Sequence, residues 1–351
     1  MNDASQHPAI RLFVDLLAVP APPGREEQLA GVICDKLDGW GITHQVDPAG
    51  NVLVRIEGQE PEASLCCLAA HMDEIAVVVN RVEPDGTLRV ERLGGLHPWK
   101  LGEGPIQILG DCETVLGIVS LGSGHVPGAA SQVVTWQEAR VLTGVSPERL
   151  AVAGVRPGST AVPIREGRGP FFLGDATDPL VAAWTFDDRM GVVALLRLLE
   201  TMTRESIRPR RPTLVAFTVH EEDGSFGAKA LALREQPEVF IALDGCPMPP
   251  GAPLLLDGRP GVWSKDRLAP YDHRLLGALG AAARRAGTEL QPVVYDTAAS
   301  DASLVYAAGG AYRIACFGHV RDNSHGFEVS RLSVFDNVWR TLVEFVRGWE
   351  D

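Results

Sequence analysis

The sequence predicts a layered α/β/α domain interrupted by a small β-rich domain. Three observations carry this reading. Apolar, strand-like runs alternate with amphipathic helical segments toward both ends of the chain, the pattern of a sheet covered by helices. From about residue 75 to 165 the texture changes to short β-like runs punctuated by glycine and proline. The chain has 351 residues, enough for about two domains. The expected division is residues 1–74 with 166–351 for the α/β domain, and 75–165 for the insert.

The elements follow in order. Gly24 to Trp40 reads as an amphipathic helix with Leu29, Val32, Ile33, Leu37 and Trp40 on one face. The turn Asp47–Asn51 precedes a strand over Val52–Ile56, and Leu65–Ala70 is a second apolar strand. The insert should hold strands at Val77–Val82, Leu88–Leu93, Ile106–Leu109, Val115–Leu121 and Ala161–Ile164, with a short helix at Ser146–Ala153. Beyond it come a strand at Leu180–Phe186, a helix at Gly191–Thr201, and strands at Thr213–Val219 and Phe240–Leu243. Asp272–Ala286 and Ser333–Trp349 are helical, the latter with Val334, Val338, Leu342, Phe345 and Trp349 on one face.

Composition narrows the function. Hydrophobic content of 45% is ordinary for a globular chain, so disorder is expected only at the N-terminal tip. A net charge of -13 argues against nucleic acid, whose backbone selects basic surfaces. No apolar run is long enough for a membrane span, and the first residues lack the pattern of a secretory leader. Six scattered cysteines with no C-x-x-C pair read as free thiols in a reducing cytoplasm.

The acidic and histidine residues are placed in an ordered way. One apolar run ends at His71 and Asp73, another at Asp187 and Asp188, a third at Glu221 and Glu222, and a fourth at Asp244; a fifth leads to His319 and His325. Ligand sites in α/β sheets lie outside the carboxyl ends of the strands, so the five segments are expected to converge. Imidazole with carboxylate and no thiolate suits Zn²⁺, Co²⁺ or Mn²⁺. Three carboxylates and two histidines exceed the needs of one tetrahedral zinc and fit two ions sharing a carboxylate. Two close divalent ions activate water and stabilise a developing oxyanion, and a separate base is needed. The adjacent glutamates answer to that division, one for metal and one for protons. Taken singly, each motif has a plainer reading: Asp-Asp-Arg as a helix cap, Glu-Glu as a solvated strand end, Asp244 as a turn cap, a lone histidine as core or surface.

The ordered set resembles peptidase family M forty-two, the glutamyl, tetrahedral and deblocking aminopeptidases. The resemblance runs over nearly the whole length, through "APPGREEQLAGVI", "VDPAGNVLVRI", "AHMDEI", "FDDRMG", "VHEEDGSFGA", "ALD" and "SDAS". It implies a metallopeptidase fold with a β-rich domain between the first and second metal motifs. It implies that His71, Asp187 and Asp244 hold one ion, that Asp187, Glu222 and His325 hold the other, and that Asp187 bridges. Glu221 would be the general base, and Asp73 would hydrogen-bond the far nitrogen of His71. A cis Asp187–Asp188 peptide bond is implied as well. The chain departs from the family in two places. Asp223 stands where an apolar residue is usual, and it is expected to face solvent. The last histidine motif, Arg321-Asp-Asn-Ser-His325, is one residue longer than Arg-Tyr-x-His; His325 is preferred to His319 because Glu328 and a helix follow it.

The resulting expectation is a cytoplasmic aminopeptidase acting on peptides with a free N-terminus through two divalent ions, zinc first, cobalt or manganese next. Nucleic-acid and membrane partners are not expected. The insert should mediate homo-oligomers, from dimer to dodecamer, through apolar residues such as Leu96, Trp99, Ile106 and Trp136, or act as a lid. A related N-acyl amino acid amidohydrolase and an inactive scaffold homologue are the alternatives. No H-E-x-x-H, G-x-S-x-G or Walker A motif offers another chemistry. Cys246 is read as part of an apolar strand end, not as a catalytic thiol, and Ser123–His125 as loop.

Overall fold

A computed structural model describes residues 4–125, 133–174 and 176–349; most of the N-terminal tip lies outside them. Eight strands form the main sheet. Their spatial order is Gln45–Val46, Val52–Ile56, Thr213–Thr218, Cys66–His71, Val239–Leu243, Arg313–Gly318, Gly261–Lys265 and Gln291–Val294. The four central strands, Thr213–Thr218 to Arg313–Gly318, are mutually parallel, so their carboxyl ends share one edge.

Side chains alternate across these strands into two cores. Cys66, Leu68 and Ala70 enter one, Cys67 and Ala69 the other. Burial on both faces is why these runs are apolar throughout. The larger core is covered by helices Pro8–Leu17, Glu27–Gly39, Phe186–Arg204, His273–Arg285 and Ser333–Gly348, the smaller by Phe226–Glu235 and Asp301–Ala307. In the last long helix, Val334, Val338, Leu342 and Phe345 face inward as their spacing predicts. The Glu27–Gly39 helix starts later than the sequence pattern does, because Gly24 has φ +82°, a left-handed backbone that cannot open a right-handed helix.

Six antiparallel strands between Ala76 and Pro163 close into a barrel. The short helix of the insert spans Pro147–Val152, with the Ser146 hydroxyl accepting the Arg149 N–H. Leu96 and Ile106 are not surface residues, as the contact-patch expectation required. They sit at 0% and 1% exposure in the barrel core, since the inward positions of so small a barrel must all be filled. Trp136 is half-buried against the same core, and only Trp99 is well exposed. The outer apolar surface lies elsewhere. Leu116 and Ile118 share a face of one strand, and Leu142 pairs with Ile118 on the next.

A third, three-stranded sheet was not foreseen. Leu180–Trp184 lies outside the main sheet and pairs antiparallel with Phe171–Leu173 and Phe327–Arg331. Trp184 lies opposite Phe327. The chain leaving Trp184 therefore meets the chain entering Phe327, and this brings Asp187 to His325. The Asp187–Asp188 peptide bond is cis.

The chain enters and leaves the barrel through one neck. Glu74 on the way out is fully buried, and its carboxylate contacts the Arg168 guanidinium on the way back. Its other oxygen accepts the Ala21 N–H at 2.9 Å and lies 3.4 Å from Arg189. Trp184 Nε1 donates to the same carboxylate at 3.0 Å.

Candidate active site

The carboxyl edge of the main sheet carries the site. Thr218 stands opposite His71 in register, so the tandem glutamates lie beside the His71–Asp73 segment. The Asp73 carboxylate fixes that contact. Its two oxygens accept the backbone N–H groups of Glu221 and Glu222, each at 2.9 Å. On the other side, the Asp244 N–H donates to the Phe317 carbonyl at 3.2 Å.

His71, Asp187 and Glu222 each present a ligand atom within 4.8 Å of the other two. His71 Nε2 is 3.4 Å from Asp187 Oδ1. His325 Nε2 is 3.7 Å from both Asp187 Oδ2 and Glu222 Oε2. Glu221, Glu222, Asp187, Asp244 and His325 all line a cavity of about 770 Å³. Asp187 Oδ1 and Glu222 Oε1 are buried with no hydrogen-bond donor. A buried carboxylate oxygen without a donor is costly, and a divalent cation among such oxygens and imidazole nitrogens would satisfy it. The donor set thus fits a metal.

Asp73 plays a part beyond the expected one. The nearest partner of His71 Nδ1 is the Asp73 backbone carbonyl, at 3.1 Å, while the Asp73 carboxylate is 3.6 Å away. Either oxygen suits an Nδ1 proton and leaves Nε2 to face Asp187. The Asp-Asp pair divides its work too. Asp188 Oδ1 caps the following helix by accepting the Gly191 N–H at 3.0 Å, while Asp187 points into the cavity. The cap reading of that motif holds for Asp188.

His319 is in the core. It is buried against the Phe186 ring, with burial and then the Arg321 charge pushing its pKa down to about 3. Asp223 is exposed, and its carboxylate faces His220 Nδ1 at 3.1 Å. Cys246 is buried beneath the sheet edge, and burial pushes its thiol up to about 12, far from a nucleophile's range.

Two residues were missed as members of the cluster. Arg321 is 2% exposed, and its guanidinium contacts the Asp187 carboxylate and lies 4.0 Å from Asp244 Oδ1. Gly245 makes this possible, since a Cβ there would overlap the guanidinium. Arg321 Nε is also 2.9 Å from Glu328 Oε1. Glu328 then accepts the Asp187 N–H at 2.9 Å and the His325 N–H at 3.1 Å. An arginine and a glutamate each set among apolar strand residues were the available signal. Left-handed backbone was another hidden feature: Thr185, His220 and His325 all have φ between 57° and 58°. Strain of this kind gathers at functional sites.

The charges oppose one another. Burial raises Asp187, but Arg321, His71 and His325 overcome it and hold its carboxyl well below the usual range. Burial, with the Asp187 charge next, pushes Glu222 up to about 8. Burial likewise holds Glu221 and Asp244 well above the carboxylate range.

This fold and this cavity define a peptidase of the hydrolase class. The chain belongs to the M42 glutamyl aminopeptidase family, whose profile matches residues 50–340. The lysyl aminopeptidase of Pyrococcus furiosus is 28% identical over 238 residues, 66% of this chain and 65% of that protein; the chain thus spans under two thirds of that relative. Among solved structures, a TET aminopeptidase from the marine sediment archaeon Thaumarchaeota archaeon SCGC AB-539-E09 superposes with a TM-score of 0.87 at 21% identity, over 97% of this chain and 96% of that one. The Pyrococcus horikoshii TET1 peptidase, described as assembling into a tetrahedron or a large octahedral shell, gives 0.84 at 22% identity, over 96% and 99%. No helix among the described residues is long and apolar enough to cross a membrane.

Proposed function

We propose that the protein is a dinuclear metal-dependent aminopeptidase that removes N-terminal residues from peptides. The carrying observation is the convergence of His71, Asp187, Glu222 and His325 within a few ångströms in a cavity that Asp244 and Glu221 also line. His71, Asp187 and Asp244 would hold one ion, and Asp187, Glu222 and His325 the other, with Asp187 shared. Divalent ions bound there would supply Lewis acidity toward the scissile carbonyl and lower the pKa of water. Glu221 takes the proton of the attacking water. It then gives that proton to the leaving amine. Burial holds its pKa well above the usual carboxylate range, which favours its keeping the proton until the amine leaves. Asp73 holds Glu221 and Glu222 at fixed backbone positions, so the two side chains diverge, one to protons and one to metal.

The cavity is also lined by Met248, Trp263 and Tyr295, a surface for the substrate's first side chain. Self-association through the barrel is part of the same reading, supported by the outer patch of Leu116, Ile118 and Leu142 and by the assemblies described for the Pyrococcus horikoshii peptidase. A reducing cytoplasm suits the six free thiols.

The test is elemental analysis joined to a substrate panel. Two divalent ions per chain and cleavage of aminoacyl chromogenic substrates are expected, zinc, cobalt and manganese being tried in turn. A plateau at one ion would overturn the dinuclear site. Hydrolysis confined to N-acyl amino acids would make the protein a deacylase.

A further inference from the structure

We propose that the Gly94–Gly95 turn of the inserted barrel is a positioning element of the active site, acting on His325 and Glu222. The inference rests on the reading of those two residues as metal ligands. It gives the barrel a role within its own chain, apart from any subunit contact.

His325 needs outside support. Its segment is one residue longer than the pattern it resembles, its φ is +57°, and a third of its side chain remains exposed. No strand register dictates where the ring points. Two hydrogen bonds do. The His325 N–H donates to Glu328 at 3.1 Å, and ring Nδ1 lies 3.1 Å from the Gly95 carbonyl. A carbonyl only accepts, so Nδ1 carries the proton, and in the neutral ring Nε2 keeps its lone pair. That nitrogen is the one 3.7 Å from Asp187 and Glu222.

Space requires the glycine at 95, and backbone conformation calls for the one at 94. A Cβ on Gly95 would overlap the His325 imidazole at Nδ1. A Cβ on Gly94 would lie 3.2 Å from Glu222 Cβ and 3.1 Å from Ile75 Cγ2, and its φ of +81° is strained for any other residue. The turn itself is held firmly by the barrel. Leu93, just before it, pairs with Ala76, and Leu96, just after it, is fully buried in the barrel core. The barrel thus presents a rigid carbonyl to one ligand and a bare backbone to another.

The experiment uses the full chain with Gly95→Ala and Gly94→Ala, and reads Zn²⁺ affinity by competition with a chromogenic chelator. Partners that orient a metal ligand are worth about 10–100-fold in affinity, and a loss in that range is expected for Gly95→Ala. Light scattering should show an unchanged assembly. Placing Gly95→Ala on a His325→Ala background should remove most of its effect, because the turn acts through that ring. Wild-type affinity in Gly95→Ala, or full additivity with His325→Ala, would overturn the proposal. If Gly95→Ala does not fold, Gly94→Ala, whose approach to Glu222 is milder, decides in the same way against Glu222→Gln. A wild-type chain that binds no Zn²⁺ would instead overturn the metal reading itself.

Discussion

The Asp73 carboxylate accepts the backbone N–H of Glu221 at 2.9 Å with one oxygen, and its other oxygen takes that of Glu222. One side chain therefore sets the position of both glutamates. Asp73→Asn replaces one acceptor oxygen by a donor, leaving one N–H unpartnered. We expect kcat/KM to fall about 10–100-fold, the usual cost of losing an outer partner at a metal centre. Unchanged kinetics would show that the strand alone positions the pair.

The adjacent glutamates should separate by mutation. Glu221→Gln is expected to keep the metal while kcat falls roughly 10²- to 10⁴-fold, the range of a lost general base. Glu222→Gln is expected to weaken metal binding first. Metal content measured after dialysis, beside kcat, reads both effects. Equal metal loss in the two variants would contradict the division of labour.

A cation held at this site would compete with protons for the same atoms. Burial, with the Asp187 charge next, puts Glu222 at about 8, and burial holds Glu221 and Asp244 well above the usual range. His71 is lowered by burial but raised further by the Asp187 and Asp73 carboxylates beside it, so it ends well above an ordinary histidine. A group with a raised folded-state pKa contributes stability below its unfolded value and loses it as pH rises through the folded one. Asp187 acts in the opposite sense, but only at low pH. The metal-free protein should therefore melt at a lower temperature at about pH 8 than at about pH 6. Ligands must be deprotonated to bind a cation, so the rise in Tm on adding Zn²⁺ should be larger at the higher pH. An equal rise at both would refute this.

Arg168→Met should destabilise the chain. It strips one partner from Glu74, which is wholly buried. Breaking a buried ion pair from one side costs about 3–5 kcal/mol. Denaturant unfolding of the metal-free protein measures it. A change under about 1 kcal/mol, the scale of an exposed pair, would mean that Arg189, Trp184 and the Ala21 N–H satisfy the carboxylate without Arg168.

The central strands were legible because each is buried on both faces. That burial forces an unbroken apolar run, and a carboxylate or histidine at its end breaks the pattern visibly. His71, Glu222 and Asp244 were readable in this way. The helix over Pro8–Leu17 was passed over, although Ile10, Phe13 and Leu17 have helical spacing. The Phe171–Leu173 and Phe327–Arg331 strands were invisible for another reason. Both lie partly exposed; Phe171–Leu173 is only three residues long, and Phe327–Arg331 acquires its meaning from pairing with Leu180–Trp184 across more than 140 residues. His325 reaches the cluster through that pairing, so the resemblance, and not strand periodicity, named it. The inward turn of Ile106 was missed because hydrophobicity alone does not say which face of a barrel strand is inside, and that of Leu96 because it lies in a loop with no periodicity to read.

The neck joining the barrel to the α/β domain has a mechanical consequence. Glu74 is bonded to the N-terminal segment through the Ala21 N–H, to the returning chain through Arg168, and to the Phe186–Arg204 helix through Arg189. Two flexible tethers would let the barrel swing; two tethers riveted at one buried point leave it no free hinge there. A torque applied to the barrel's outer wall is then delivered to a carboxylate next to Asp73 and three residues from His71. Whatever grips that wall has leverage on the turn that carries the Gly95 carbonyl, 3.1 Å from the His325 ring.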